Sequence, residues 1–163
     1  MPLSKTTLFT IQEIYFKNSK NKRDNMREIK FRAFLCSNQR LPNGIMLGYE
    51  KYPRGIYEVI DLNITSETVT LWSEREQTSF EVSFRKVEIM QYTGFRDKNG
   101  REIYTDHLVE WGLRTYRVCF DCGFYLHDLS GINPDYPITK EFKNASDEFE
   151  IVGSVWQNPE LLK

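Results

Sequence analysis

The chain has 163 residues, of which 40% are hydrophobic and 28% charged, with a formal net charge of −1. That length suits one domain or two small lobes sharing a core, and that charge balance leaves no global nucleic-acid footprint. No apolar run approaches the roughly 18 residues of a membrane-spanning helix, and the opening residues lack the apolar core of a secretory signal. Three cysteines, an odd number, argue against a disulfide framework and for a reducing cytosol.

Charge is uneven along the chain. Residues 1–32 carry Lys5, Lys17, Lys20, Lys22, Arg23, Arg27, Lys30 and Arg32 against Glu13, Asp24 and Glu28, a net +5, so the remainder carries −6. A basic arm on an acidic body suits either phosphate contact or a solvated tail, and the solvated tail is the plainer reading. Residues 17–25 are polar and read as a linker. Met26 is expected to be the native start, with 1–25 a translated leader. The competing reading is a genuine extension, because Leu8–Ile11 and Ile14–Phe16 carry enough apolar mass to dock on the body.

From Met26 onward the periodicity is that of strands. Ile29, Phe31 and Ala33 fall on one face, with Lys30 and Arg32 on the other. Asn43-Gly44 marks a turn before Ile45–Tyr49, and Pro53-Arg54-Gly55 another before Ile56–Ile60. Thr68–Trp72, Phe80–Phe84 and Val87–Tyr92 follow. Asp97-Lys98-Asn99-Gly100 is a hairpin signal, with Asn-Gly supplying positive φ, and it feeds a strand at Leu108–Trp111. Arg114–Phe120 and Phe124–Leu126 flank Gly123 as a further hairpin. Residues 130–148 read as a long surface loop with one helical turn near Lys140–Phe142. Glu150–Trp156 is the last strand, and Asn158-Pro159 starts a short terminal helical turn. Short strands at this spacing, in a chain with 14% aromatics, indicate an all-β barrel or sandwich with little helix.

The stretch Gln91–Trp111 resembles the signature of the YopX family, small proteins encoded mainly by phages and prophages of low-GC bacteria. Met26–Phe34 looks like the family opening, where a Trp commonly stands at the Phe34 position. Phe149–Gly153 through Asn158–Leu162 looks like its ending. The resemblance implies a domain over 26–163, with an N-terminal β lobe at about 26–90 and an SH3-like C-terminal β lobe at about 91–163, a small barrel-type fold. It implies no settled biochemical activity. The family typically reads Gly-Asp before the Val strand, where this chain has Asp106-His107. Asp tolerates the left-handed backbone. The acid of relatives is expected to serve a turn, so that His107 is tolerated in its place.

Three constellations could carry chemistry. Cys119 and Cys122 form a CxxC with His127 close behind, and Cys36 or His107 could complete a tetrahedral zinc set. A structural zinc usually takes two such pairs, and only one exists, so partly buried thiols are the plainer reading. Asp97, Glu102, Asp106 and His107 suggest acid–base or divalent-metal chemistry, but neighbours on a strand point to opposite faces. Phe31, Phe34, Trp72, Tyr92, Tyr104 and Trp111 could stack single-stranded nucleic acid, and the same residues are what a small β core needs. No nucleophile motif, phosphate loop or cofactor signature is present. The expected contact surface is Lys30, Arg32, Arg96, Lys98 and Arg101, partly neutralised by Asp97 and Glu102. The leading expectation is a non-catalytic protein that binds a host or phage protein in the bacterial cytoplasm. A single-stranded nucleic-acid binder comes second and a metal-dependent enzyme third. Exposed edge strands would allow homo-oligomers.

Overall fold

The computed structural model describes residues 28–36, 52–138 and 148–162. The expectations for residues 1–27, for Asn43-Gly44 with Ile45–Tyr49, and for a turn near Lys140–Phe142 lie outside the described residues. Two antiparallel sheets account for the rest. The first contains β1 (Phe31–Leu35), β2 (Gly55–Asn63), β3 (Thr68–Ser73), β4 (Thr78–Ser83), β5 (Val87–Arg96) and β6 (Glu102–Tyr104), in the order β4-β3-β2-β1-β5-β6. The second contains β7 (His107–Trp111), β8 (Arg114–Phe120), β9 (Phe124–Asp128), β10 (Tyr136–Pro137) and β11 (Glu150–Ser154), in the order β10-β9-β8-β7-β11. The fold is all-β, and among the described residues neither sheet closes into a barrel. No helix among them is long and apolar enough to cross a membrane.

Alternation builds each sheet. In β3, Val69, Leu71 and Ser73 are buried while Thr68, Thr70 and Trp72 are not, the period of a strand with one face on a core. Ala33, Leu35, Val69, Leu71, Val82 and Val87 form the core of the first sheet. Ile103, Val109, Tyr116, Val118, Leu126 and Phe149 form that of the second. A third cluster of Met90, Tyr92 and Tyr104, with Ile56 and Trp156 against it, joins strands of the first sheet to the C-terminal segment.

Several strand ends shift by a few residues from the sequence-based reading, with β5 reaching Arg96, β4 ending at Ser83 and β11 ending at Ser154. Two further departures bear on the surface. β2 runs on to Asn63 because a bulge at Ile60 lies between the Val59↔Leu71 and Asp61↔Thr70 pairs. The extra residue turns the period over, so Asp61 shares a face with Glu58 while Val59 and Leu62 both pack on the core. The expected loop at 130–148 contains β10, in which Tyr136 pairs with Leu126. Pro137 confines that strand to the sheet edge, since it has no N–H to donate.

Candidate functional site

Three of the expected contact cations, Arg96, Lys98 and Arg101, lie in or beside the tip of the β5–β6 hairpin, residues 97–101. Of Asn99-Gly100 only Gly100 takes a positive φ, at +78°. The turn is instead organised by Asp97, whose side chain is fully buried. Its carboxylate accepts the N–H groups of Asn99 and Arg101, each at 2.9 Å, and the Arg101 guanidinium at 2.8 Å. It also accepts the N–H of Ile151 on β11, at 3.1 Å. Arg101 donates onward to the Ile151 carbonyl at 2.7 Å, and the Lys98 N–H donates to the Phe149 carbonyl at 2.9 Å. The Lys98 ammonium pairs with Glu150. The tip is therefore a clasp that ties the first sheet to the edge strand of the second. Burial pushes the Asp97 carboxyl up, but the hydrogen bonds from Ile151, Arg101 and Asn99 outweigh it and hold the group below the ordinary carboxylate range.

The other expected cations are engaged in the same way. Lys30 and Arg96 both pair with Glu102 at 2.8 Å, and the Lys30 hydrogen bond is the main reason the Glu102 carboxyl is held low. The Arg32 guanidinium lies over the Tyr104 ring, 4.6 Å from its centroid. Of the aromatics considered for base stacking, Phe34, Tyr92 and Tyr104 are buried. Trp111 packs edge-on against Phe149 and Tyr136 and donates its indole N–H to Glu148.

The Thr105–His107 turn is the second organised node. Asp106 adopts φ +66°, the left-handed backbone expected there. Its N–H donates to Val118 on β8 and its carbonyl accepts the Val155 N–H, while the Thr105 N–H donates to Gln91 on β5. The turn thus stitches both sheets and the C-terminal segment together. The Asp106 side chain pairs with Arg117 at 2.7 Å. His107 is buried and its Nδ1 accepts the N–H of Tyr104 at 3.2 Å, the local turn-capping task expected of the acid in relatives. Burial first, then the Arg32 and Arg101 charges, bring its pKa down to about 4.

The β8–β9 hairpin carries the CxxC. Cys119 stands opposite Tyr125 and its thiol leans toward the Arg117 carbonyl. Cys122 is exposed in the turn. His127, opposite Arg117, pairs with Asp135 at 2.8 Å. Cys36 directly follows β1 in the first sheet, with its thiol on the Phe34 carbonyl. Among the described residues no three His, Cys, Asp or Glu side chains gather as a metal ion would require.

The charge carried by β2–β3–β4 is negative. Residues 55–83 contain Glu58, Asp61, Glu67, Glu74, Glu76 and Glu81 against Arg75, a local net charge of −5. The pairings Glu58↔Trp72↔Ser79 and Asp61↔Thr70↔Glu81 place three of these acids on one face of β2–β3–β4 around Trp72. Glu58, Asp61, Glu67 and Glu81 are exposed. None of these four has an ion-pair partner among the described residues. Splitting the charge at residue 32 hides this face. Six acids against one cation over residues 55–83 stand out in the sequence itself.

A family model described as YopX protein matches residues 30–163. The chain belongs to the YopX family. In this YopX chain Gln91–Trp111 comprises the clasp and the turn that holds His107, and Phe149–Gly153 at the ending contributes most of β11, the strand the clasp grips. The crystal structure of protein EF1440 from Enterococcus faecalis is similar at 22% identity with a TM-score of 0.50, covering 85% of this chain and 100% of that one. That likeness establishes the fold. No curated protein sequence matches.

The YopX ending also explains a glycine. A Cβ at Gly153 would run into the side chain of Asn158, whose Oδ1 accepts the Ser154 N–H at 3.3 Å. Gly153→Ala is expected to displace Asn158 and cost about 1 kcal/mol, the worth of one such hydrogen bond. Urea denaturation of the two proteins would measure it, and an unchanged midpoint would mean that Asn158 relaxes freely.

Proposed function

We propose that this YopX protein is a non-catalytic interaction protein of phage or prophage origin, working in the bacterial cytoplasm by binding a host or phage protein through a basic surface on that partner. The observation that carries this reading is the division of charge. Lys30, Arg32, Arg96, Lys98 and Arg101 have internal partners that hold hairpin, sheet and edge strand together, whereas Glu58, Asp61, Glu67 and Glu81 are exposed and have no ion-pair partner among the described residues. Charged groups of one sign on a rigid surface steer a complementary partner and fix its orientation. The same charge repels a phosphate backbone, which argues against the nucleic-acid reading for this face.

The test is affinity capture from host lysate, with and without nuclease, using the wild-type chain and the triple variant Glu58→Lys, Asp61→Lys and Glu81→Lys. All three positions are exposed, so the fold is expected to survive, as circular dichroism would report. A nuclease-resistant partner that is retained by the wild type, weakens as salt rises and is lost with the triple variant supports the proposal. Retention that is nuclease-sensitive, or that the triple variant leaves unchanged, refutes it.

A further inference from the structure

The first sheet is split between β1 and β2. The β1–β2 ladder ends at Arg32↔Glu58, although β2 continues to Asn63 beside β3 and β1 continues alongside β5, with Phe31 opposite Gln91 and the Lys30 carbonyl accepting the Tyr92 N–H. From Val59 onward, the edge of β2 that faces β1 has no ladder partner among the described residues. The bulge at Ile60 sits at the mouth of this fork. The result is an open cleft of about 410 Å3 between residues 29–31 and 59–62. Its walls carry two large apolar side chains that face solvent, Ile29 at 69% and Ile60 at 57% exposure. Its lip carries Glu58 and Asp61, the same acids that belong to the outward face of β2–β3–β4.

A free strand edge takes an extended peptide through its backbone, and flanking pockets take alternate side chains. Lys30 also lines the cleft but is held by Glu102, so two exposed isoleucines beside an acidic lip favour a strand in which Lys or Arg alternates with β-branched residues. We infer that the β1–β2 cleft is a strand-addition site for an extended basic–apolar segment of a partner protein. This inference rests on the proposed function for the sign of the partner's charge and adds the place and the backbone mode of binding.

The experiment uses the full chain and three probes: an alternating Lys-Ile-Lys-Val-Lys-Ile peptide, the same peptide N-methylated on alternate residues, and oligolysine of equal length. Strand addition predicts that N-methylation, which removes backbone donors without touching charge, weakens binding about thirtyfold, two hydrogen bonds' worth. It also predicts that a benzoylphenylalanine photo-crosslinker replacing Ile60 labels the alternating peptide. Equal affinity for all three probes would overturn strand addition while leaving a charge-driven interaction face intact. Binding of none would overturn both readings. A crosslink from position 60 to residues 1–27 of the chain or to a second copy, in place of the peptide, would overturn the assignment to a partner protein.

Discussion

Asp97→Ala is expected to lower the unfolding free energy by about 3 kcal/mol, the lower end of the range for breaking a buried ion pair. The carboxylate is fully buried and is the shared acceptor for Asn99, Arg101 and Ile151. Its removal leaves three backbone N–H groups and one guanidinium without their acceptor. The cost stays at the lower end because the Arg101 side chain is half exposed and can turn to water. The loss should be local before it is global. Hydrogen exchange at the Ile151 and Lys98 amides should accelerate far more than exchange at Leu71 or Val69 in the first core, because the clasp holds β11 to the hairpin. Urea denaturation supplies the free energy and exchange supplies its location. Uniform acceleration, or a loss below about 1 kcal/mol as for an ordinary surface pair, would show that the tip is not a clasp.

That result would also explain where sequence reading stops. The strands were legible because alternation is local. Val69 and Leu71 against Thr68 and Thr70 are enough to orient β3. The hairpin at 97–100 was legible from its turn chemistry, but the role of Asp97 was not. Along the sequence it stands among Arg96, Lys98 and Arg101 as one charge partly cancelling others on an exposed tip. Burial comes from β11, more than 50 residues away, and no local pattern announces it. The end of β2 was missed for a different reason. Ile60 is an extra residue in the ladder, so a period-2 reading carried through it assigns Asp61 and Leu62 to the wrong faces and ends the strand early. The fork between β1 and β2 begins at that same bulge, so the sequence was least readable where the edge of β2 loses its ladder partner among the described residues.

The clasp and the charge distribution are linked. Glu102 takes both Lys30 and Arg96, and Asp97 takes Arg101, so the basic residues nearest the signature are drawn inward by acids on the same hairpin. Among the described residues Glu58, Asp61, Glu67 and Glu81 have no such ion-pair partner, although Arg32 stands opposite Glu58 in the ladder and Arg85 and Lys86 follow β4, so that sheet face keeps a net negative charge. A sequence total of −1 therefore conceals, among the described residues, a paired set of charges around the signature hairpin and an unpaired group of carboxylates on β2–β3–β4 that is presented to solvent.

The second large effect concerns pH and His107. Because Nδ1 accepts the Tyr104 N–H, the ring must be neutral with its proton on Nε2. Protonation would set two donors against each other beside Arg32 and Arg101. The folded pKa is about 4, against 6.5 for the free side chain. Between those values the unfolded chain binds a proton that the folded chain refuses. Stability is thus fully present above pH 6.5 and falls as pH drops toward 4, by about 3 kcal/mol at roughly 1.4 kcal/mol per pH unit. Asp97 acts lower, its contribution being lost only as pH falls below the ordinary carboxylate value of 3.8 and through its depressed folded pKa. The two residues are separated by the variant His107→Asp, which restores the acid that relatives are expected to carry. A carboxylate there can accept the Tyr104 N–H and gains from the positive charge of Arg32 and Arg101, so it should stay ionised across this window. Chemical denaturation from pH 7 to 4 should show the wild type losing stability steeply while His107→Asp holds nearly level until pH 4. Parallel curves would mean that the acid sensitivity lies elsewhere. A level variant curve would identify the Tyr104 N–H as the group for which either residue at 107 is chosen.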